Sequence, residues 1–583
     1  MSEVRIPLRD IGYVLWDVLD FESHFARLEG VEVGKELVEA ILDEAARFSE
    51  NELAPINRSG DEEGCLLVDG VVTTPSGFAD AYRTFIAAGW AGISGGVEYG
   101  GQGLPPSISL IVEEIFATAN MAWTMYSGLS RGAIEALEAH GTEVQKQTFL
   151  PKLLTGEWTG TMCLTEPHCG SDVGLLKTRA EANGDGSYRL NGTKIFISAG
   201  DHDLSENILH LVLARLPDAP AGTKGISMFL VPKILDERPN GVICGALEEK
   251  MGIHGNATCV LHFEDALGYL VGPENEGMRC MFTMMNGARL IVGVQGLCGM
   301  EAGFQAALAY AGERLQMRAL SGPKAPDKPA DPIIVHPDIR RMLLTQKAFV
   351  EGGRAMAYYA VQLADTAQSG PQQDRAKALR LLDLITPVVK AFLSEKGYES
   401  VNHAVQIFGG HGFIRETGVE QLIRDVRITL IYEGTTQIQA LDLLGRKVLM
   451  DQGKALMELI ELINEEAVAD GGCEEIQIAL KDIAAQWGEV SLGLGAKAMS
   501  DPEEIGAAAV DYLMFSGYVV MAYLWAKMAR ISAGSDEDFH RGKVATAEFF
   551  FKRLLPQAQA HRQALLAGAP SLMTITEQQF SHH

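Results

Sequence analysis

Apolar residues recur at spacings of three and four over much of residues 35–160, as in LVEAILDEAARF (37–48) and SLIVEEIFATA (109–119). That period predicts amphipathic helices. Between those two segments lies a loop-rich passage, GWAGISGGVEYGGQGLPP (89–106), with six glycines from Gly92 to Gly103. From about Cys163 the period shortens. YRLNGTKIFIS (188–198) reads as two alternating runs joined at Asn191-Gly192, which predicts a β-hairpin. HLVLARL (210–216), GISMFLVP (225–232) and CVLHFEDA (259–266) read as further strands. After Gly277 the helical period returns, in GMEAGFQAALAYAGERLQ (299–316) and ALRLLDLITPVVKAFLSEKG (378–397), interrupted by the proline-rich loop 321–331. Beyond Leu449 the chain is again helical and rich in Ala and Leu, and reads as a separate unit. The pattern predicts a multidomain α+β protein: an extension (1–34), a helical domain (35–160), a β-domain (161–277), a helical bundle (278–449) and an additional helical domain (450–583).

Composition narrows the function. Among 583 residues, 47% are hydrophobic and 21% charged, enough to build several cores. The 49 Lys+Arg against 76 Asp+Glu give a net charge of −27, and no Lys/Arg-rich run breaks the acidity. Nucleic-acid binding needs clustered cations against phosphate and is not expected. Eight cysteines without a CxxC predict free thiols in a reducing compartment. The first residues carry acids among apolar positions, unlike a signal peptide. The longest uncharged run, 512–526, is too short to span a bilayer and predicts a buried helix. These features together predict a cytoplasmic protein without a membrane span.

Several motifs point nowhere. Gly92-Ile93-Ser94-Gly95-Gly96 matches GxSxG, but a helical AAGWA precedes it where a nucleophile elbow needs a strand. No GxGxxG, GxxxxGK[ST] or HExxH occurs. Asp201-His202-Asp203 cannot all converge on one ion from a single turn, and no metal is expected. Two segments stand out instead: MCLTEPHCGSD (162–172) and QIFGGHGFIRETGVEQLIRDVRITLIYEGTTQIQAL (406–441). Each mixes glycine with hydroxyl and amide side chains at the end of a regular element. Backbone N–H groups left open by such glycines suit phosphate or an anionic ring edge, so a bound cofactor is expected.

TEPHCGSD, KIFISAG, ARLIVGVQG, AYAGERLQ, QIFGGHGF and IYEGTTQIQ, in that order, resemble the signatures of the acyl-CoA dehydrogenases over residues 35–447. The extension and the fourth domain resemble the long members of that family. GDEEG, LTEPHCGSDVGLLKTRA and ISAGDHDLSENILHLVLARLPDAP are most similar to members that act on 3-(methylsulfanyl)propanoyl-CoA, in dimethylsulfoniopropionate breakdown. The resemblance implies FAD as cofactor, formation of a trans-2-enoyl-CoA, and electron-transfer flavoprotein as electron acceptor. It implies Glu433 as the base that takes the α-proton, with Arg289 nearby to orient it; the family's other base position is Ala288 here. It implies that Met162, Leu164, Thr165, Ser171, Phe196 and Ser198 meet the flavin, with Phe and Ser where Trp and Thr are more usual. Thr435 and Gln437 would hold the adenosine portion. Arg314, Gln406 and Gly410 would reach the pyrophosphate from a neighbouring subunit of a homo-oligomer, a homodimer by expectation. Ser171, Asn286 and Tyr432 would meet the acyl-CoA. Pro337 stands where the family often has a flavin-contacting glutamine.

Three alternatives remain beside this reading. One is a short- or medium-chain acyl-CoA dehydrogenase of fatty-acid metabolism. Another is an acyl-CoA oxidase, which uses the same base and lets oxygen reach the flavin. The third is a DNA-associated flavoprotein of the same fold, whose last domain should be basic; here Glu458, Glu461, Glu465, Glu466, Asp470, Glu474 and Glu475 cluster in it.

Overall fold

The computed structural model describes residues 4–582. The chain divides into two compact units, one formed mainly by residues 40–291, the other by residues 7–39 and everything from Val292 onward.

In the first unit, helices α1 (Pro106–Ala119), α2 (Met121–His140) and α3 (Glu143–Leu154) precede a sheet. Asn120 accepts from Trp123 N at 3.0 Å to cap α2. A capping box of Thr142 and Gln145 starts α3. Seven strands follow: β1 (Trp158–Cys163), β2 (Arg179–Ala182), β3 (Ser187–Ser198), β4 (Asn207–Ala214), β5 (Ser227–Pro232), β6 (Val242–Leu247) and β7 (Thr258–Val271). Their order is β1-β4-β5-β7-β3-β2, with β6 also on β7. Only β1–β4 is a parallel pair; the rest are antiparallel. Every residue of β4 is buried. Leu209, Leu211 and Leu213 face Leu137, Leu150 and Met281, while Val212 and Ala214 pack with Phe229, Leu261 and Phe263. A strand covered on both faces explains the unbroken apolar run of its sequence.

The expected hairpin at Asn191-Gly192 does not form. β3 runs through both residues, pairing Asn191 with Arg179 of β2 and Gly192 with Phe263 of β7. A bulge in β7 gathers there, and Asn191 Oδ1 accepts from Asp265 N at 3.0 Å. Glycine is required for a different reason: a Cβ at 192 would stand 2.4 Å from Thr178 Oγ1. Cross-strand pairing overrides the local turn signal.

The other unit contains the later part of α4 (Gly277–Glu313), then α5 (Pro337–Ser369), α6 (Gln372–Phe408), α7 (Thr436–Leu441), α8 (Lys454–Glu466), α9 (Glu474–Ala498), α10 (Glu503–Ser532) and α11 (Asp538–Phe549). Helices α4 and α6 touch backbone to backbone; a Cβ at Gly397 would lie 2.7 Å from Gly296 O. The helices beyond residue 450 belong to the same compact unit, with α10 packed on α5 and α6. Trp525 Nε1 donates to Ala348 O at 3.1 Å. Among the described residues α10 is the single helix long and apolar enough to cross a membrane, and 72% of its apolar window is buried in the protein. Near the other end of the chain, Tyr13 donates to Met528 O at 2.9 Å. Asp10 pairs with Arg354 and Lys543. Arg354 also reaches Glu301 at 2.7 Å, and Lys543 reaches Glu351 at 3.1 Å.

Candidate active site

In the first unit the MCLTEPHCGSD segment leaves β1 and doubles back as a tight loop, with Glu166 and Cys169 exchanging backbone hydrogen bonds at 2.9 and 3.0 Å. Glu166 organises it. Its buried carboxylate accepts from Lys194 Nζ at 2.8 Å, Thr178 Oγ1 at 2.6 Å, Thr178 N at 3.0 Å and Lys177 N at 2.7 Å. Burial pushes this carboxyl up, but Lys194 and the hydrogen bonds outweigh it and hold it down to about 2. Lys194 Nζ also donates to Leu164 O at 3.0 Å, and Ile195 N donates to Thr165 O at 3.0 Å. The loop is therefore fastened to β3 just before Phe196. Glu166, His168 and Cys169 bring ligand-type atoms within 4.8 Å of one another, yet Glu166 is already committed to Lys194. The three residues of Asp201-His202-Asp203 diverge: Asp201 pairs with Lys233, His202 Nε2 meets Thr159 Oγ1 at 3.0 Å, and Asp203 accepts from Thr74.

Phe196 sits at a β-bulge with φ +59° and is 60% exposed. A large aromatic in left-handed backbone, turned to solvent, is a strained arrangement of the kind found at ligand sites. Met162, Leu164, Thr165 and Ser198 are half-buried, and Ser171 is exposed. Asp172 fixes the turn after Ser171 by accepting from Gly174 N at 3.1 Å. On α4, Arg289 is buried with its guanidinium 5.9 Å from the Phe282 ring centre. Ala288 is half-buried and Asn286 exposed.

In the other unit, Tyr432 to Gln437 form a loop that ends in α7. Glu433 is half-buried with φ +56°, followed by Gly434 at φ +91°. Two consecutive left-handed residues need outside support. The fully buried Lys390 of α6 donates to Gly434 O at 2.7 Å and Thr429 O at 2.8 Å. Gln439 Nε2 donates to Glu433 O at 2.8 Å, Thr436 donates to Glu395 at 2.6 Å, and the Tyr432 hydroxyl donates to Gln295. Thr435 caps α7 by accepting from Ile438 N at 3.3 Å, while Gln437 is exposed. At the far ends of α4 and α6, Tyr310 stacks on Phe408 at 4.1 Å and 14°. That stacking brings half-buried Arg314 to the same end of the bundle as exposed Gln406 and Gly410. Pro337 opens α5 and offers no polar side chain.

Residues 35–157 match the family description "Acyl-CoA dehydrogenase, N-terminal domain", 161–266 its middle domain and 275–449 its C-terminal domain. Residues 456–576 match "Acetyl-CoA dehydrogenase C-terminal like". The chain belongs to the acyl-CoA dehydrogenase family. It is 41% identical to a 3-methylmercaptopropionyl-CoA dehydrogenase of Ruegeria pomeroyi, covering 98% of this chain and 99% of that protein. It is 33% identical to a broad-specificity linear acyl-CoA dehydrogenase of Mycobacterium tuberculosis over the full length of both. An acyl-CoA dehydrogenase of Bacillus anthracis, solved with FAD, shares the fold at TM-score 0.74 and 24% identity, over 93% of this chain and 90% of that one.

As a member of this family the protein is an FAD-dependent oxidoreductase, and the donor set fits the cofactor. An exposed aromatic plane, half-buried Met162 and Leu164, hydroxyls at Thr165 and Ser198, and glycine beside Ser171 suit an apolar ring with a polar edge. Motif reading singled out these residues as candidates but not the side chains that hold the two loops, Glu166, Lys194, Lys390 and Gln439. A readable signal existed for two of them. Lys194 falls on the inward register of β3, and Lys390 interrupts an apolar run of α6; lysines at core positions demand buried partners.

Proposed function

We propose that this protein dehydrogenates a short acyl-CoA thioester between its α and β carbons, 3-(methylsulfanyl)propanoyl-CoA foremost, with Glu433 taking the α-proton. The observation that carries the reading is the Glu433 loop. Its carboxylate stands in left-handed backbone whose flanking carbonyls are gripped by Lys390 and Gln439. Strain held by dedicated buried donors is the signature of an imposed position rather than of a helix cap. The chemistry that bound FAD would supply is that of a hydride acceptor. The chain's own residues supply the rest. In this reading Met162, Leu164 and Phe196 serve the ring, Arg289 joins Glu433 in the catalytic set, and Ser171, Asn286 and Tyr432 serve the thioester ligand. The 41% identity to the Ruegeria pomeroyi enzyme along nearly the whole chain supports the choice of substrate. In the same reading a second copy presents Arg314, Gln406 and Gly410 to the pyrophosphate, and Thr435 and Gln437 meet the adenosine. Electron-transfer flavoprotein removes the electrons, and the enzyme works in the cytoplasm.

An anaerobic titration with 3-(methylsulfanyl)propanoyl-CoA, butanoyl-CoA, octanoyl-CoA and palmitoyl-CoA tests this directly. Loss of the flavin band near ~450 nm is expected with the first; bleaching by none of the four overturns the reading. Glu433→Gln should keep the flavin spectrum and lose at least about a hundredfold in turnover, the low end of what a positioned base supplies. A variant that keeps more than about a tenth of the wild-type rate puts the base elsewhere.

A further inference from the structure

Two cysteines meet in the sheet beside Phe196. The inward face of β7 carries Cys259, Leu261 and Phe263, and β6, which pairs with β7 alone among the described residues, sets Cys244 into the same core. Cys244 stands opposite Leu261, and Leu247 opposite Cys259, so the two cysteines are diagonal neighbours. Between them the register slips, with Gly245 as the extra residue of β6. Such a bulge bends its strand, and here the Cys259 thiol is hydrogen-bonded to the Cys244 sulfur. A second slip lies on the other side of β7. There Cys259 pairs with Ile197 and Leu261 with Lys194, leaving Phe196 in the bulge between them. The row that joins the thiols is therefore the row that turns Phe196 into left-handed backbone.

The two thiols differ in reach and in acidity. Cys259 is wholly buried, whereas Cys244 keeps 6% exposure between exposed Ile243 and exposed Gly245. The hydrogen bond from Cys259 draws the Cys244 thiol down against its burial, with Asp201 opposing and Lys233 assisting. The same bond, and then burial, pushes Cys259 up. Burial also raises Cys65, Cys169 and Cys280, and it pushes Cys163 of the same core up to about 12. The Cys163 sulfur faces Thr161 Oγ1 at 3.5 Å and His210 Nδ1 at 3.9 Å. A reachable, acidified thiol touching a protonated one is the arrangement of an attacking and a resolving cysteine.

We propose that Cys244 and Cys259 are a peroxide-sensitive dithiol, and that its closure to a disulfide shifts the Phe196 bulge and loosens the hold on FAD. The second part rests on the reading in which Phe196 serves the flavin ring. The Cys244 thiolate attacks one oxygen of hydrogen peroxide, the O–O bond breaks, and one water leaves a sulfenic acid on Cys244. The Cys259 sulfur then displaces that oxygen as a second water and forms the S–S bond. The two thiols lose two electrons and two protons in all, and the peroxide gains them. A disulfide holds its Cα atoms about 4.4–6.8 Å apart, closer than the roughly 7–8 Å usual for diagonal neighbours. Closure therefore draws β7 toward β6 and loads the bulge on its other side.

The test treats the FAD-loaded enzyme with hydrogen peroxide, alkylates the remaining thiols in denaturant and maps the peptides by mass spectrometry. A Cys244–Cys259 cross-linked peptide, removed by dithiothreitol, is expected before Cys163 is modified. The same treatment should weaken FAD binding, followed by flavin fluorescence, at least about tenfold, with recovery in dithiothreitol. Cys259→Ser should show neither effect and bind FAD as the reduced wild type does; Cys244→Ser takes its place if the buried variant does not fold. Oxidation that spares both cysteines, stops at a Cys244 sulfinic acid or joins another pair first overturns the proposal. A complete cross-link that leaves FAD affinity within about twofold of the reduced enzyme overturns it as well. Phe196→Ala then separates the causes: if that variant also leaves the affinity unchanged, the flavin-site reading has failed, and if it weakens binding, the coupling alone has failed.

Discussion

Replacing Glu166 with Gln keeps the shape of the side chain and removes its charge. Four donors now converge on one carboxylate. The amide must turn an NH2 toward some of them and leave the Lys194 ammonium, 0% exposed at its side chain, without a counter-charge. The carboxyl's fall from an ordinary 4.5 to about 2 corresponds to roughly 3 kcal/mol at ~1.4 kcal/mol per pKa unit. Lys194 bears the opposite sign: burial pulls its ammonium down and Glu166 only partly restores it. We weigh the carboxylate more heavily because three of its four donors are supplied by one short stretch, Lys177 and Thr178. Breaking one partner of a buried pair usually costs about 3–5 kcal/mol, and after Lys194's share about 3 kcal/mol is expected here. The assay is the urea midpoint of flavin release, followed by flavin fluorescence and calibrated to free energy.

The pH dependence gives the sign. A carboxyl whose folded pKa is depressed stabilises fully above its unfolded value, 4.5, and loses that stabilisation as pH falls toward its folded value, about 2. The gap between wild type and Glu166→Gln should therefore be constant from about pH 6 to 8 and smaller by about 1 kcal/mol near pH 4. A loss below about 1 kcal/mol near pH 7, or a gap that widens on acidification, refutes the argument.

Two further predictions concern the second unit. Gly434→Ala sets a Cβ 2.6 Å from Gln439 Nε2 at a φ of +91°; on the proposed role of Glu433 it should lower kcat about 10–100-fold at unchanged flavin content, the cost of moving a positioned group by about 1 Å. Asp10→Asn leaves Lys543 and Arg354 without their shared carboxylate; it should cost about 3–5 kcal/mol in urea unfolding followed by tryptophan fluorescence.

What was legible in the sequence divides along a physical line. The segment 37–48 declared itself by period because one face meets a core, whereas 109–119 and 210–214 are buried on all sides and were legible from their density of apolar residues. Asn191-Gly192 misled because the hairpin signal measures local backbone freedom, whereas the glycine at 192 serves a cross-strand approach to Thr178. The candidate site shows the same division. Glu433 and the TEPHCGSD segment are contiguous motifs and could be found. Lys194 lies 28 residues from Glu166, and Lys390 lies 44 from Gly434, so neither pairing is local. Both lysines act on backbone carbonyls, Leu164 and Gly434, and a carbonyl has no letter in a sequence. The candidate site residues are thus written as motifs, while the lysines that hold their loops are legible only as exceptions to the apolar pattern. An ionisable residue at a core register is the sequence feature most worth testing for a role at the site.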